Sequence, residues 1–213
     1  VIPPIANVAK KSADFYNINL KNFFLNYGID DELIKISCSS NLSSYDQHEK
    51  VIEAVSKIKN KSRVHLLFLL TYGGNEERRN NIINKISENL SDFKVSVFDT
   101  FLSNDDLAKY RAATDIYINM RSIDQLAGAV IESLFEGALL ISGSWLNYET
   151  FDKIGIYYKK VKNFEELTEC LDLSIENISF YNDNYKKHNI EKIEKEFSLD
   201  LTLKKWNNVY DNL

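Results

Sequence analysis

Ile116-Tyr117-Ile118-Asn119-Met120-Arg121-Ser122-Ile123-Asp124-Gln125-Leu126-Ala127-Gly128-Ala129-Val130-Ile131-Glu132-Ser133-Leu134-Phe135-Glu136-Gly137-Ala138-Leu139-Leu140-Ile141-Ser142 holds two short apolar runs separated by a polar loop and a longer apolar stretch. Residues 116–120 and 139–142 are too short for helices and read as strands covered on both faces. Between them, Ala129, Val130, Ile131, Leu134 and Phe135 leave almost no polar face on a helix over 127–136, apart from Glu132, Ser133 and Glu136. A helix that apolar belongs at the centre of a domain. The unit is strand, helix, strand.

The same alternation extends to both sides. Further strands are expected at 34–38, 64–70, 95–98 and 156–159, giving six. Val51, Ile52, Val55 and Ile58 form one helical stripe, and Ile82, Ile83, Ile86 and Leu90 another. Ser103 with Asp106, and Asn163 with Glu166, mark helix starts of the capping-box kind. Pro3 and Pro4 precede a short helix over 20–27 that Gly28 ends. Beyond Ser179 two helices are expected, the last carrying Leu199, Leu203, Trp206, Tyr210 and Leu213 on one stripe. The predicted fold is α/β, a doubly wound, mainly parallel, six-stranded Rossmann-like sheet with helical additions at the C-terminus. Residues 1–32 read as a linker and lead-in helix, 33–178 as the Rossmann-like domain, and 179–213 as helices packing back on it.

Composition narrows the function classes. The chain has 213 residues, 44% of them hydrophobic and 27% charged, with seven Gly and two Pro, which is ordinary globular usage. No apolar run approaches the roughly 18–20 residues of a membrane span. A formal charge of −5 disfavours general nucleic-acid binding while leaving room for a local anion site. Cys38 and Cys170 lack metal-ligand spacing and read as inert thiols. His65 and His188 carry little signal, whereas His48 lies near a candidate phosphate loop. Tyr181, Tyr185, Trp206 and Tyr210 read as packing residues. A chain starting at Val1 is expected to be a fragment or a processed form, and its abundance of Lys, Asn and Ile suggests an AT-rich bacterial coding sequence.

Ligands of open parallel sheets bind at the carboxyl ends of the strands. The first strand is followed by Ser39-Ser40-Asn41-Leu42-Ser43-Ser44-Tyr45, a loop of hydroxyls and amides that is either an ordinary polar turn or a phosphate cradle at a helix start. After the second, Thr71-Tyr72-Gly73-Gly74-Asn75 allows close backbone approach by a ligand or simply a tight turn. Its spacing matches neither G-x-G-x-x-G nor a P-loop. The loop after the fourth strand is the most informative. Ala127 and Gly128 keep a helix start open to an anion, and Arg121 could pair with that anion or with Asp124. Glu132 could accept from a vicinal diol such as ribose, or satisfy a neighbouring group.

Asp124-x7-Glu132, the helix around it, the strand that follows and Gly143-Ser144-Trp145-Leu146-Asn147-Tyr148 resemble the donor-binding half of retaining glycosyltransferases of the two-Rossmann-domain (GT-B) fold, which carry a Glu-x7-Glu motif. The resemblance extends from an Ile-Pro lead-in to the closing helix at 206–213. It implies that Glu132 holds the ribose of a nucleotide sugar, that Asp124 contacts the donor sugar, and that both belong to the catalytic apparatus. Ser40, Asn41, Arg121, Gln125, Leu126, Ala127, Gly128 and Ala129 would meet the diphosphate and sugar, while Tyr72, Gly73, Gly74, Thr100, Phe101 and Leu102 would border the nucleobase. Implied too are a UDP- or GDP-sugar as substrate, no metal or other cofactor, no nucleic acid, and an acceptor-binding N-terminal half missing from this chain. The expected place is the cytoplasm, with peripheral contact at the inner face of the membrane through that missing half.

Two departures stand out. Residues 40–48 contain no Arg or Lys where many relatives clamp the diphosphate, and the first motif carboxylate is Asp, one methylene short. The missing Arg and Lys favour a rival reading, a non-catalytic GT-B-like subunit that binds a partner protein. An epimerase or phosphorylase on the same fold is a third.

Overall fold

The computed structural model describes residues 20–198 together with 201, 203, 204 and 207. Leu199, Trp206, Tyr210 and Leu213 of the expected terminal stripe, and the lead-in at Pro3 and Pro4, lie outside them.

Six parallel strands form one sheet: β1 (Ile34–Ser37), β2 (Val64–Leu69), β3 (Lys94–Phe98), β4 (Ile116–Asn119), β5 (Leu139–Gly143) and β6 (Lys159–Val161), in the order β3-β2-β1-β4-β5-β6. That order makes the sheet doubly wound, with its switch point between β1 and β4. Helices α1 (Leu20–Tyr27), α2 (His48–Ser56), α3 (Glu76–Asn89), α4 (Asn104–Ala113), α5 (Gly128–Phe135), α6 (Glu149–Ile154) and α7 (Phe164–Glu176) alternate with the strands. Then α8 (Ile178–Tyr181), a π-helical turn over Asn182–Lys186 and α9 (Lys187–Phe197) run on as one helical arm.

Period-two alternation divides the strands between two cores. Leu66 and Phe68 of β2, with Ile36, Ile118 and Ile141, pack under α2, α3 and α7. Leu67 and Leu69 turn the other way, toward α1 and α4. On that second face Tyr117 and Leu140 pack with α5 and α9 through Val130, Leu134, Ile193 and Phe197. Because α5 is apolar nearly all round, α9 covers what the sheet leaves, and Tyr181 Oη donates to Ala138 O at 3.0 Å to hold the arm down. Cys38 is buried and Cys170 half-buried, and burial raises the pKa of both thiols.

Both expected caps form: Ser103 Oγ accepts the Asp106 amide at 3.1 Å and Asn163 Oδ1 the Glu166 amide at 2.8 Å. The sixth strand is displaced from its expected place at 156–159. Gly155, at φ +77, ends α6, and Ile156 drops into the second core, so pairing with β5 begins only at Lys159.

Candidate functional site

The loops leaving β1 and β4 diverge around the switch point and are tied across it. Ser122 N donates to Tyr45 O at 2.8 Å and Gln47 Nε2 to Met120 O at 2.6 Å. Each loop ends in a left-handed residue just before its helix, Gln47 at φ 51 and Leu126 at φ 61, the two non-glycine residues of this kind among those described. Such conformations cost about 1–3 kcal/mol each and persist where the surroundings impose them. Ala127 then starts α5 without a side-chain cap, and no described residue supplies an acceptor to the amides of Gly128 and Ala129. The helix end is an uncompensated positive pole.

Glu132 lies one turn above that pole. Its Oε2 is 3.5 Å from Nε of Arg111 on α4, with the two side chains 13% and 6% exposed. Nε and Nη1 of Arg111 have no hydrogen-bond partner, so the guanidinium holds Glu132 by charge alone. The other carboxylate oxygen, Oε1, sits 3.9 Å from where a Cβ on Gly128 would be, beside the free helix start. No described residue hydrogen-bonds to it, so its acceptor capacity is unused beside those amides.

Asp124 is held more firmly. Its Oδ2 accepts from the Tyr148 hydroxyl and, at 3.1 Å, from Asn119 Nδ2, while Oδ1 accepts the Gln125 amide at 3.0 Å. Burial, and then the neighbouring Asp124 charge, push the Tyr148 phenol far above its usual range, so the hydroxyl keeps its proton and serves as donor to Asp124. The two motif carboxylates thus differ in kind: Glu132 keeps a free oxygen at the crevice, whereas both oxygens of Asp124 are engaged in fixing the β4 loop.

The β1 loop closes on an internal anion. Asp46, 4% exposed, takes the Asn41 amide at 3.0 Å, Ser40 Oγ at 3.3 Å and Arg121 Nη1 at 2.9 Å. Burial raises its pKa against the pull of Arg121, His48, the Asn41 amide and Ser40. Of the two roles open to Arg121, the pair with Asp124 does not form; Arg121 reaches across the switch point to Asp46 instead. Asp46 and Arg121 are 75 positions apart, so nothing local in the sequence pairs them.

His48 is wholly buried, so it does not face the crevice as its position suggested. Its Nε2 bonds to Asn41 O at 2.8 Å, and Arg78 Nη2 lies 3.4 Å from its Nδ1. Arg78 Nε also donates to Leu42 O at 3.0 Å. The cations absent from residues 40–48 therefore come from α3 and the β4 loop.

On the β2–β3 side, Tyr72 and Phe101 are stacked with centroids 5.7 Å apart at 26°, and are 52% and 77% exposed. Thr100 is exposed beside them, and Leu102 packs partly into the core under α4. The space over Gly73 and Gly74 is filled by the β1 loop: a Cβ on Gly74 would come within 2.8 Å of Leu42 Cγ, and one on Gly73 within 3.1 Å of Ser43 N. The structure thus joins Ser40, Asn41 and Arg121 through Asp46, with the 125–129 segment following on the same β4 loop, and sets the Tyr72–Phe101 pair in the loops after β2 and β3. Arg111 is the residue that sequence reasoning missed. The signal was its i+4 spacing from Leu107, on the face of α4 that turns inward.

Among the described residues, no group of three or more His, Cys, Asp or Glu side chains could hold a metal ion, and no helix is long and apolar enough to cross a membrane.

No protein-family profile and no curated protein matches the chain. Solved structures do. A glycosyltransferase from Rickettsia africae superposes with TM-score 0.81 at 18% identity, over 99% of this chain and 55% of that one. Anabaena HepE in complex with UDP and glucose gives 0.75 at 14%, over 92% of this chain and 52% of that one. The C-terminal domain of a group 1 glycosyl transferase, LpcC from Francisella tularensis, gives 0.68 at 13%, over 88% of this chain and 98% of that domain. The chain spans about half the length of the first two. Its fold is that of the C-terminal domain of GT-B glycosyltransferases.

Proposed function

We propose that this chain is the donor-binding half of a glycosyltransferase, taking a nucleoside-diphosphate sugar in the crevice between β1 and β4. The observation that carries the reading is the open start of α5 with Glu132 Oε1 beside it. Free amides and a helix dipole suit a diphosphate, and a carboxylate oxygen beside them suits a ribose diol. The Tyr72–Phe101 pair offers a flat surface for a base at the adjoining strand ends. No protein nucleophile or metal is invoked: the leaving diphosphate is stabilised by helix-terminal amides and by Arg121 if Asp46 releases it. Transfer with retention, in the making of a bacterial surface glycan or glycoprotein on the cytoplasmic side, completes the proposal, with the acceptor half supplied by another part of the protein.

Calorimetric titration against UDP, GDP and the matching monophosphates tests it. Saturable binding that favours a diphosphate over its monophosphate supports the reading, and no heat from any nucleotide refutes it. A second reading, a GT-B-like subunit that binds a partner protein, is favoured by one observation. Asp124 Oδ2 is taken up by Tyr148 and Asn119 and Oδ1 accepts the Gln125 amide, so the carboxylate already serves the β4 loop and keeps only one acceptor site on Oδ1 for a sugar.

A further inference from the structure

Where β1, β4, β5 and β6 end, a recess of about 350 Å³ opens beyond the β4 loop. Gln47, Lys50, Ser122, Trp145, Lys162 and Phe164 line it, and a hollow of about 480 Å³ between α2 and α7 continues from it. The indole of Trp145 is 42% exposed yet held in place. Nε1 donates to Arg121 O at 2.7 Å, and the ring lies so close over Gly143 that a Cβ there would stand 2.4 Å from it. A fixed aromatic plane with one side open is a stacking surface, since its orientation is settled before any ligand arrives.

The charge around that plane is one-sided. Lys50 Nζ bonds to Gln47 Oε1 at 3.1 Å and lies 5.5 Å over the Phe164 ring, and neither Lys50 nor Lys162 is in an ion pair with any described residue. No carboxylate lines the recess, although the chain as a whole carries −5. The nearby start of α7 is already closed by Asn163 and by Glu166, which accepts the Lys162 amide at 2.8 Å. The positive character therefore comes from the two ammonium groups. Glu53, Glu165 and Glu169 on the adjoining hollow oppose a ligand with many charges.

We propose that this recess binds an anionic saccharide, one pyranose ring stacked on Trp145 with its carboxylate or phosphate between Lys50 and Lys162. The aromatic plane selects the ring, the lysines select the charge, and Gln47 and Ser122 supply the polar contacts that hydroxyls need. The recess adjoins the nucleotide crevice, sharing Gln47 and Ser122 of the two tied loops, but the inference does not rest on the reading of that crevice.

The test uses the full chain carrying Trp206→Phe, in which indole emission reports Trp145 alone. The indole N–H resonance of Trp145 in the unaltered chain gives the same readout should that variant fold poorly. Glucuronic acid, glucose 6-phosphate, glucose and inorganic phosphate are titrated in turn. The expected result is a saturable response to glucuronic acid and glucose 6-phosphate, at least tenfold weaker with glucose or phosphate. Lys50→Gln with Lys162→Gln should weaken the charged sugars tenfold or more and leave glucose unchanged. The inference is overturned by the absence of a saturable response, by equal responses to glucose and the charged sugars, or by phosphate binding as well as glucose 6-phosphate. Abolition of the response by excess UDP would assign it to the nucleotide crevice and overturn it as well.

Discussion

Replacing Glu132 with Ala should destabilise the protein before it affects any ligand, because it strands Arg111. At 3.5 Å the pair's attraction is about 5 kcal/mol for an effective dielectric near 20. Arg111 has little else to hold it, with Nε and Nη1 unbonded and its side chain 6% exposed. Breaking a buried pair from one side typically costs about 3–5 kcal/mol. The lower end applies here, since the pair lacks a well-formed hydrogen bond and Glu132 keeps some solvent. With a urea m-value of about 2–3 kcal/mol/M, a loss of about 3 kcal/mol moves the unfolding midpoint down by roughly 1 M or more. Combining Glu132→Leu with Arg111→Met removes both charges and should return most of that stability. The folded double variant then isolates binding: without the acceptor, nucleoside-diphosphate affinity should fall roughly ten- to hundredfold, as for a lost hydrogen bond to a charged group of about 1.5–3 kcal/mol. Urea titrations of the parent, the single and the double variants decide it. A single variant within about 1 kcal/mol of the parent, or a double variant no more stable than the single, refutes the account of Arg111.

Tyr148→Phe leaves Asp124 with Asn119 and the Gln125 amide only, and should lower stability by about 1–3 kcal/mol, seen as a reduced melting temperature; an unchanged value contradicts the role given to the hydroxyl. Gly143→Ala drives a Cβ into the Trp145 ring and should cost about 1–3 kcal/mol as overpacking, with a shift in tryptophan emission; an unaltered emission spectrum contradicts the fixed indole. His48 is buried neutral with its pKa lowered, chiefly by burial, from the ordinary 6.5. The unfolded chain therefore binds the extra proton first, and stability should fall as pH drops below about 6.5, by up to about 1.4 kcal/mol per pH unit per proton. Denaturation midpoints at pH 7.5, 6.5 and 5.5 should converge for His48→Gln relative to the parent, and parallel profiles count against it. His65, likewise lowered mainly by burial, leaves a residual slope in both proteins.

Most of the fold was legible because several strands, β2 and β5 above all, are apolar on both faces and several helices carry an apolar stripe. Strand β6 was not, since only Val161 of Lys159-Lys160-Val161 is buried and an edge strand need not be apolar. The helix starts at Ser103 and Asn163 were readable because a cap is a local motif. The candidate site was readable in outline, as a carboxylate on an apolar helix demands an explanation from sequence alone. Its partners were not. Arg111 lies 21 positions before Glu132 on another helix, and Asp46 lies 75 positions before Arg121, so both pairs exist only once the switch point is assembled. Gly73 and Gly74 show the same limit: a glycine reports that something comes close, and only the structure says that it is Leu42 and Ser43.

The ladder at the switch point is the shortest among the central strands, matching only Ile36 with Ile116 and Ser37 with Tyr117, whereas β1 matches β2 at four positions and β2 matches β3 at five. It also joins residues about 80 positions apart, while its neighbours join residues about 30 positions apart or fewer. Loop-closure entropy delays distant pairings, and two rungs reward closure less than four or five. The β1–β3 and β4–β6 portions are therefore expected to gain order first, with the seam between them closing last and opening first in hydrogen exchange. The crevice at the end of that seam comes into being with the final step of folding, so any ligand that bridges its two loops would act on the slowest-formed and most easily lost part of the molecule.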